Sequence, residues 1–461
     1  MKLYNTPTKR LESFKPIESN IVKIYTCGPT VYSFQHIGNL RTYIFSDILK
    51  RSLHLMGYRT FQVMNITDVG HLTDDADQGE DKVEKAAQKS NQDALSMTEK
   101  FKNKFFLDCS KLNILPPDII ARATDHIEEQ IDLIKVLEKN GHTYSTPDGI
   151  YFDVSTFTTF TPLENMQINA SKEYSRVETK YKRNPEDFAL WKFSPKEQKR
   201  KLEWLSPWGV GFPGWHIECS AMSLKYLGEY FDIHTGGIDH IPIHHTSEIR
   251  QMEAAVGHKV VNYWIHGAWL SFGESEKMSK SEGGTILLDN IIEKQIDPIA
   301  YRYLVLTAHY RNPLKFTWDS LDQAQTALRN LKNRISSLSI KKNDKINLNY
   351  VNRFKEVISN DLDTPKALSL LWQLIKDPKV SDNEKYNTSK IFDEVLGIDL
   401  LDYRNTNNEI EISTEILGLL HQREESRRNK DYATSDKLRD ILEEKGYKIK
   451  DGKDSLSIQE T

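Results

Sequence analysis

The chain has few cysteines, no long apolar run and little net charge. Only three cysteines, Cys27, Cys109 and Cys219, occur in 461 residues, and they lie far apart in sequence. A disulfide framework is therefore not expected, and each thiol is a candidate core side chain, metal ligand or reactive group. No stretch of about 18 apolar residues is present, so we expect no transmembrane helix.

The charge and the N-terminal segment narrow the class of protein further. The formal charge is -4 at pH 7, which argues against nonspecific coating of nucleic acid but allows a local basic face that binds RNA. The first residues, MKLYNTPTKRLESF, lack the apolar middle of a signal peptide, so we expect a cytoplasmic protein without a membrane partner. The length predicts about three domains. No heptad pattern is present, so we expect a monomer.

The first hundred residues show the pattern of a doubly wound α/β fold. An apolar run over residues 21–25 leads into Cys27-Gly28-Pro29, which predicts a buried strand and a turn. Residues 36–49 have helical apolar spacing, and FQVMNITDVG predicts a second buried strand. In such a fold, ligands bind beyond the carboxyl ends of the strands.

The segment His36-Ile37-Gly38-Asn39 follows the first strand and starts a helix. A helix N-terminus offers backbone N–H groups and a positive dipole end to a phosphate. The small Gly38 allows a nucleotide to approach closely, and His36 and Asn39 can donate to phosphate oxygens. The plain alternative is a polar helix start, which a lone four-residue match does not exclude.

A second candidate phosphate-binding segment is a loop with the sequence Lys277-Met278-Ser279-Lys280-Ser281, followed by two glycines. Two lysines three residues apart can neutralise charge on a transferring phosphoryl group, although such a loop alone is usually solvated surface. Together, the two segments resemble the HIGH and KMSKS motifs of class I aminoacyl-tRNA synthetases. The first motif departs at its fourth position, where Asn39 keeps a donor but cannot carry the charge of the usual histidine.

Four residues form a possible metal site. Cys27 follows the first strand, Cys219 lies in WHIECS, and His244 and Glu248 are four apart in PIHHTSEIRQME, which predicts that they share a helix face. Zinc accepts thiolate, imidazole and carboxylate ligands. The alternative is that both cysteines are ordinary buried thiols and His244 a surface histidine. The other candidates for the imidazole position are His216, His234, His240 and His245.

The order of these segments resembles that of bacterial cysteinyl-tRNA synthetases. CGPTVY, NITD, SPWG…PGWHIECSAM, the His-His-x-x-Glu helix and KMSKS occur in the family's order, and the similarity runs over essentially the whole chain. The segment GGIDHIPIHHTSE differs from the family's usual sequence at this place but keeps the ligand positions. The resemblance implies a Rossmann-like doubly wound parallel sheet with an insertion, an α-helical bundle and a small C-terminal anticodon-binding domain.

The resemblance also implies roles for individual residues. It implies a cysteine–tRNA ligase that uses ATP with Mg²⁺, acts on tRNA(Cys), and carries one Zn²⁺ per chain to select the cysteine thiol. Size alone gives only about 10–200-fold discrimination, whereas a serine hydroxyl is a poor zinc ligand. The implied zinc ligands are Cys27, Cys219, His244 and Glu248, and the implied cysteine-binding residues are Gly28, Thr67 and Trp215. The implied ATP-binding residues are His36, Gly38, Asn39, Lys277, Met278, Ser279, Lys280 and Ser281, of which His36, Asn39, Lys277 and Lys280 are catalytic.

The resemblance and the changes in composition together predict the domain boundaries. The predicted segments are a first Rossmann half at 1–113, a connective insertion at 114–200, a second Rossmann half at 201–270, the KMSKS loop and stem-contact region at 271–318, a helical bundle at 319–400 and an anticodon-binding domain at 401–461. In the last segment a group of basic residues surrounds Tyr432 and suits unstacked anticodon bases. These residues are Arg423, Arg427, Arg428, Lys430, Lys437 and Arg439. The alternative is a solvated helix, because acidic residues balance the charge.

Three other functions fit parts of this pattern. A cysteine ligase for a small amine, of the mycothiol-pathway type, would share the zinc and the adenylation chemistry, but it needs no tail beyond residue 400. A noncatalytic RNA-binding paralogue would not need an intact KMSKS loop. A zinc hydrolase built on His244 and Glu248 is disfavoured by the cysteine pair, which is typical of closed or thiol-binding sites.

Overall fold

The computed structural model describes most of the chain, which forms two compact units, residues 1–401 and 402–461. The described residues are 1–69, 94–164, 166, 181–195, 200, 202–272, 285–340, 344–401, 418–419, 422–423, 426, 431–445, 447–451 and 456–460. Within these ranges, no helix combines the length and the apolar character needed to cross a bilayer.

In the described part of the first 272 residues, strands are interspersed with helices. The elements up to the insertion are β1 (Lys2–Asn5), β2 (Arg10–Ser13), β3 (Ile21–Thr26), α1 (Ile37–Leu55), β4 (Arg59–Ile66), α2 (Ala94–Lys111), β5 (Ile119–Arg122) and α3 (Ile127–Lys139). Those that follow are β6 (Thr143–Thr146), β7 (Gly149–Phe152), β8 (Phe188–Phe193), β9 (Trp204–Ser206), β10 (Gly209–Pro213), α4 (Trp215–Leu227), β11 (Phe231–Gly237), α5 (Thr246–Val256), β12 (Val261–Gly267) and β13 (Leu270–Phe272).

A five-stranded parallel sheet of order β12-β11-β3-β4-β5 forms the centre of the first unit. Successive strand residues point to opposite faces. Ile24 belongs to the same core cluster as Ile44 of α1, whereas Tyr25 belongs to the cluster that contains Ile134 of α3 and Ile217 of α4. Both faces of the sheet are therefore covered by helices, which confirms the predicted doubly wound α/β fold.

A second, antiparallel sheet of order β6-β7-β8-β10-β9 forms the insertion. It differs from the predicted boundaries at both ends. β5, at 119–122, pairs with β4 in the parallel sheet, and β9 and β10 carry the insertion sheet on to residue 213. The segment 204–213, which the predicted bounds 201–270 assign to the second Rossmann half, is a hairpin that pairs with β8 of the insertion sheet.

Helices follow the second Rossmann half. The elements are α6 (Leu288–Glu293), α7 (Pro298–Leu306), β14 (Leu314–Phe316), α8 (Trp318–Ser336), α9 (Leu348–Ser359), α10 (Thr364–Lys376) and α11 (Asp382–Leu396). Arg302 of α7 is fully buried and joins these helices to the sheet domain. It donates to the Leu396 carbonyl at the end of α11, to the Leu112 carbonyl after α2 and to Asp47 of α1. The buried carboxylate and the carbonyls satisfy the buried guanidinium.

The second unit contains α12 (Tyr432–Glu444) and a two-stranded antiparallel sheet of β15 (Tyr447–Asp451) and β16 (Leu456–Glu460). Tyr432 is 61% exposed and Lys437 is also exposed. Arg423 is buried, so it does not belong to the solvent-facing basic surface that was predicted for this segment. Arg427, Arg428 and Lys430 lie outside the described residues.

Candidate functional site

The carboxyl ends of four parallel strands bring the predicted site residues to one edge of the sheet. β3 leads into Cys27, β4 leads into Thr67, and β11 and β12 end at Gly237 and Gly267. The backbone of Cys27 donates to the Thr235 carbonyl at 3.1 Å, so the turn after β3 lies against β11. This edge is where open α/β sheets bind their ligands.

Cys27, Cys219, His244 and Glu248 form a buried cluster at this edge. Their ligand atoms all lie within 4.8 Å of one another. His244 Nε2 lies 3.0 Å from Glu248 Oε1, and Cys27 Sγ lies 3.7 Å from the same oxygen. Cys219 comes from α4, His244 from the short π-helix Ile241–His245 that leads into α5, and Glu248 from α5. The structure therefore brings together the four side chains that the sequence proposes as metal ligands.

A second set of possible ligands overlaps the first. Cys27, His234, His245 and Glu248 also have ligand atoms within 4.8 Å of one another, so the sets share Cys27 and Glu248. In the second set, His245 Nδ1 lies 2.7 Å from His266 Nε2, and in the first set His244 Nδ1 has a similar histidine neighbour in His216, so these contacts do not distinguish the two sets. The first set offers two sulfurs, which zinc favours.

The side chains of the first set shift one another's pKa values. Burial raises the pKa of the Cys27 thiol well above its usual range, and Cys219 and Glu248 raise it further. A hydrogen bond with Cys27 is the main reason that the pKa of Cys219 is lowered. Burial alone would lower the pKa of His244, but Glu248 and Cys219 raise it to about 10. The buried Glu248 and Cys219 side chains thus favour positive charge at His244.

Two further histidines contact the cluster through hydrogen bonds to its members. His216 Nδ1 lies 2.9 Å from His244 Nδ1, on the opposite side of the ring from Nε2. His234 Nε2 lies 2.9 Å from Glu248 Oε2, the oxygen that does not face His244. Each histidine therefore fixes the orientation of one member of the cluster, the arrangement that surrounds metal-binding histidines and carboxylates in proteins.

The sequence identified His216 and His234 only as rivals for the imidazole position. The sequence did contain one indication that His216 lies near the cluster. His216 precedes Cys219 by three residues in WHIECS, so the two residues share a face of α4. His234 lies in β11, and its approach to α5 depends on the tertiary fold.

The other candidate residues do not belong to the cluster. His240 lines the large cavity next to it, where burial lowers the pKa of its imidazole. Cys109 is buried in the apolar core.

The three predicted cysteine-binding residues have different environments. Trp215 lines the cavity with its ring centroid 4.5 Å from that of His244. Gly28 also lines it, and a Cβ there would lie 1.7 Å from the Asn65 carbonyl oxygen, so only glycine fits. Thr67 is buried, and its hydroxyl donates to Glu218 Oε2 at 3.0 Å. The role of these residues in binding cysteine stays a prediction.

His36 and Asn39 form a capping box at the start of α1. Asn39 N donates to His36 Nδ1 at 3.2 Å, and His36 N donates to Asn39 Oδ1 at 3.3 Å. Because Nδ1 accepts a bond, the imidazole proton lies on Nε2. A Cβ at Gly38 would lie 2.9 Å from His36 Nδ1, so the glycine is needed for this ring position. The asparagine therefore also has a structural role, in orienting the histidine.

A cavity of 1330 Å³ connects the cluster of Cys27, Cys219, His244 and Glu248 with the start of α1. Cys27 and His244 line it at the cluster, and His36, Gly38 and Asn39 line it at the helix. It exceeds the range of about 300–1000 Å³ for one small ligand, so it can hold a nucleotide together with an amino acid. The predicted residues Lys277, Met278, Ser279, Lys280 and Ser281 lie outside the described residues.

Comparisons with known proteins agree with this geometry. The family model described as the class I tRNA synthetase (C) catalytic domain matches residues 13–326. Cysteine–tRNA ligase 1 of Burkholderia lata is 45% identical over 453 residues, which are 98% of this chain and 95% of the relative. The cysteine–tRNA ligase of Treponema denticola is 44% identical over 482 residues, or 98% of each chain.

Solved structures that resemble the fold are more distant in sequence. Methionyl-tRNA synthetase of Mycobacterium tuberculosis, bound by methionyl-adenylate, has a TM-score of 0.53 at 15% identity, covering 83% of this chain and 91% of that one. LeuRS of Agrobacterium radiobacter K84, in a ternary complex with tRNA and LeuAMS, has a TM-score of 0.56 at 10% identity, covering 84% of each chain. These likenesses concern the fold alone.

Proposed function

This chain belongs to the class I tRNA synthetases for cysteine, and from that membership we propose that it activates cysteine with ATP and transfers the cysteinyl group to tRNA(Cys). The observation that carries the proposal is the buried cluster of Cys27, Cys219, His244 and Glu248, which opens through Cys27 and His244 into the cavity that His36 also lines. The proposed thiol-binding cluster and the proposed phosphate-binding start of α1 thus line one cavity, and the reaction of cysteine with ATP requires such an arrangement.

The donor set of the cluster fits Zn²⁺. Two sulfurs, an imidazole nitrogen and a carboxylate oxygen are ligands that zinc accepts, and all four residues are buried. We propose that Cys27, Cys219, His244 and Glu248 hold the ion, with His216 and His234 orienting His244 and Glu248. A bound zinc would favour the deprotonated form of a substrate thiol, so that cysteine is preferred to serine.

The remaining residues of the site bind and position the substrates. Trp215 packs beside His244 at the cluster end of the cavity and is proposed to contact the cysteine. His36 Nε2–H, with the backbone N–H groups at the start of α1, is proposed to donate to the phosphates of ATP with its Mg²⁺. Lys277 and Lys280 are proposed to neutralise the charge that develops as pyrophosphate leaves. No protein nucleophile is required, because the cysteine carboxylate attacks the α-phosphorus after positioning.

The proposal is tested by charging bulk tRNA with mass-labelled cysteine or serine. We expect cysteine to be attached to the tRNA, with discrimination against serine beyond the roughly 10–200-fold that size alone provides. Labelled cysteine is also offered with small amine acceptors in place of tRNA. Formation of a cysteinyl amide with no charging of tRNA would contradict the proposal and favour a ligase of the small-amine type.

Replacing His216 with alanine is expected to weaken metal binding without removing a ligand. His244 would lose its Nδ1 partner, and loss of such an orienting contact typically costs about 10–100-fold in metal affinity. The affinity is measured by competition with a zinc chelator. His126→Ala is the matched control, since His126 is also buried and hydrogen-bonded but contacts Tyr226, near the other end of α4. Equal zinc affinity in the two variants would remove His216 from the site.

A further inference from the structure

An exposed tryptophan stands at the mouth of the catalytic cavity. Trp269 follows β12 and is 57% exposed, although it lines the cavity. The next residue, Leu270, is buried, and its Cβ is 3.8 Å from the place where a Cβ at Gly38 would lie. Leu270 therefore belongs to the inner wall beside the start of α1, whereas Trp269 offers a large aromatic surface to solvent at the rim.

The backbone that carries this tryptophan is fixed to a second rim segment. Arg41 of α1 is buried and donates to the carbonyl oxygens of both Trp269 and Asn312. Ala268 N also donates to the Tyr310 carbonyl at 2.8 Å. The segment Tyr310 to Asn312 is therefore held beside Trp269, and Arg311 is the middle residue of this segment. A rim that is fixed before a ligand arrives needs less ordering when it binds.

Arg311 lines the same cavity with its guanidinium already oriented. Its Nε donates to the buried Asp361 at 2.7 Å, and its guanidinium carbon lies 4.3 Å from the centre of the Tyr4 ring. The carboxylate uses the Nε donor, and the Nη edge of the guanidinium is the part suited to a phosphate. Lys9, exposed in the turn after β1, also lines this end of the cavity.

We infer that Trp269, Arg311 and Lys9 form a rim that binds the single-stranded 3′ end of tRNA, an inference that rests on the function proposed above. The terminal ribose of tRNA must enter this cavity to reach the activated cysteine, so its last unpaired nucleotides cross the mouth. Unpaired bases stack on exposed aromatic rings, and their phosphates bind Arg and Lys. Trp269 supplies the stacking surface, and Arg311 and Lys9 supply the positive charge. The inner position of Gly38 and Leu270 suits the nucleotide of ATP instead.

The experiment compares Trp269→Ala with Trp269→Phe in two assays on the full-length protein. Cysteine-dependent ATP–pyrophosphate exchange needs no tRNA and is expected to stay within about twofold of the unchanged protein. The KM for tRNA in aminoacylation is expected to rise about tenfold in Trp269→Ala and to recover in Trp269→Phe, which keeps an aromatic face. Arg311→Gln, which keeps a donor for Asp361, is expected to raise the same KM. It should also reduce the slope of log KM against log salt concentration by about one, the amount that one phosphate contact contributes.

A shortened tRNA identifies the part of the ligand involved. A transcript without its three terminal nucleotides is expected to bind the unchanged protein and Trp269→Ala equally well, because the stacking base is gone from both. Tyr230→Ala and Arg59→Gln are the matched controls, since both residues are exposed and lie at the amino ends of β11 and β4, opposite the site.

The possible outcomes separate this inference from the function on which it rests. A parallel fall of ATP–pyrophosphate exchange in Trp269→Ala would assign the ring to ATP and overturn the inference. An unchanged KM for tRNA, or an equal effect of Trp269→Ala on full-length and shortened tRNA, would also overturn it. A failure of the proposed function is seen differently, as the absence of cysteine-dependent exchange in the unchanged protein.

Discussion

Cys219→Ser is expected to remove the metal from the protein and, with it, the preference for cysteine over serine. Cys219 is buried beside Cys27 and His244, and its pKa is lowered, mainly by its hydrogen bond with Cys27. A serine hydroxyl at this position stays protonated and is a poor zinc ligand. Since losing an orienting contact alone typically costs about 10–100-fold in metal affinity, losing a ligand should cost more.

The first measurement is metal content by elemental mass spectrometry, before and after dialysis against a chelator. We expect about one zinc per unchanged chain and a small fraction of that in Cys219→Ser. The second measurement is the ratio of kcat/KM for cysteine and serine in ATP–pyrophosphate exchange. Without the metal, discrimination should fall into the range of about 10–200-fold that size alone provides.

Cys109→Ser is the matched control for this variant. Cys109 is the third buried cysteine, and it lies in the apolar core with Phe105 rather than in the cluster. Its replacement introduces the same hydroxyl into a buried site and so carries a comparable stability cost. It should keep its zinc and its selectivity. A metal-free protein that still rejected serine would disprove the role proposed for the cluster.

The sequence predicted the parts of the site that follow from local patterns. Cys27 follows a buried apolar run, and residues that follow such strands meet at one edge of a parallel sheet. His244 and Glu248 are four residues apart, which predicts that they lie on the same side of a helical segment. The family resemblance then singled out these residues together with Cys219. The doubly wound fold was predicted on similar grounds, from the alternation of strand and helix periods.

Features that depend on long-range packing could not be predicted in the same way. The approach of His234 to Glu248 joins β11 to α5, and no spacing in the sequence reports it. The boundary at residue 200 missed the β9–β10 hairpin, because short strands next to a turn carry little periodicity. Asn39 was interpreted as a donor in a place usually held by histidine. Its second role, accepting the His36 backbone N–H, became visible only in the capping geometry.

His36→Ala is expected to reduce cysteine-dependent ATP–pyrophosphate exchange by about 100- to 1000-fold, the usual cost of removing one donor that stabilises developing charge. Metal binding by the proposed zinc ligands should be unaffected, because His36 belongs to the helix end of the cavity. The same change also removes the helix cap from Asn39 N, which costs about 1 kcal/mol of stability. Activity and unfolding must therefore be measured together.

His36→Asn separates the two roles of this residue. Asparagine is a good N-cap, so it should restore the cap on Asn39 N and with it the free energy of unfolding, measured in urea. It is shorter than histidine and lacks the Nε2–H group, so exchange should stay low. If instead His36→Asn regained full exchange, His36 would act by starting α1 correctly, and the phosphates would be bound by the backbone N–H groups of the helix without the imidazole.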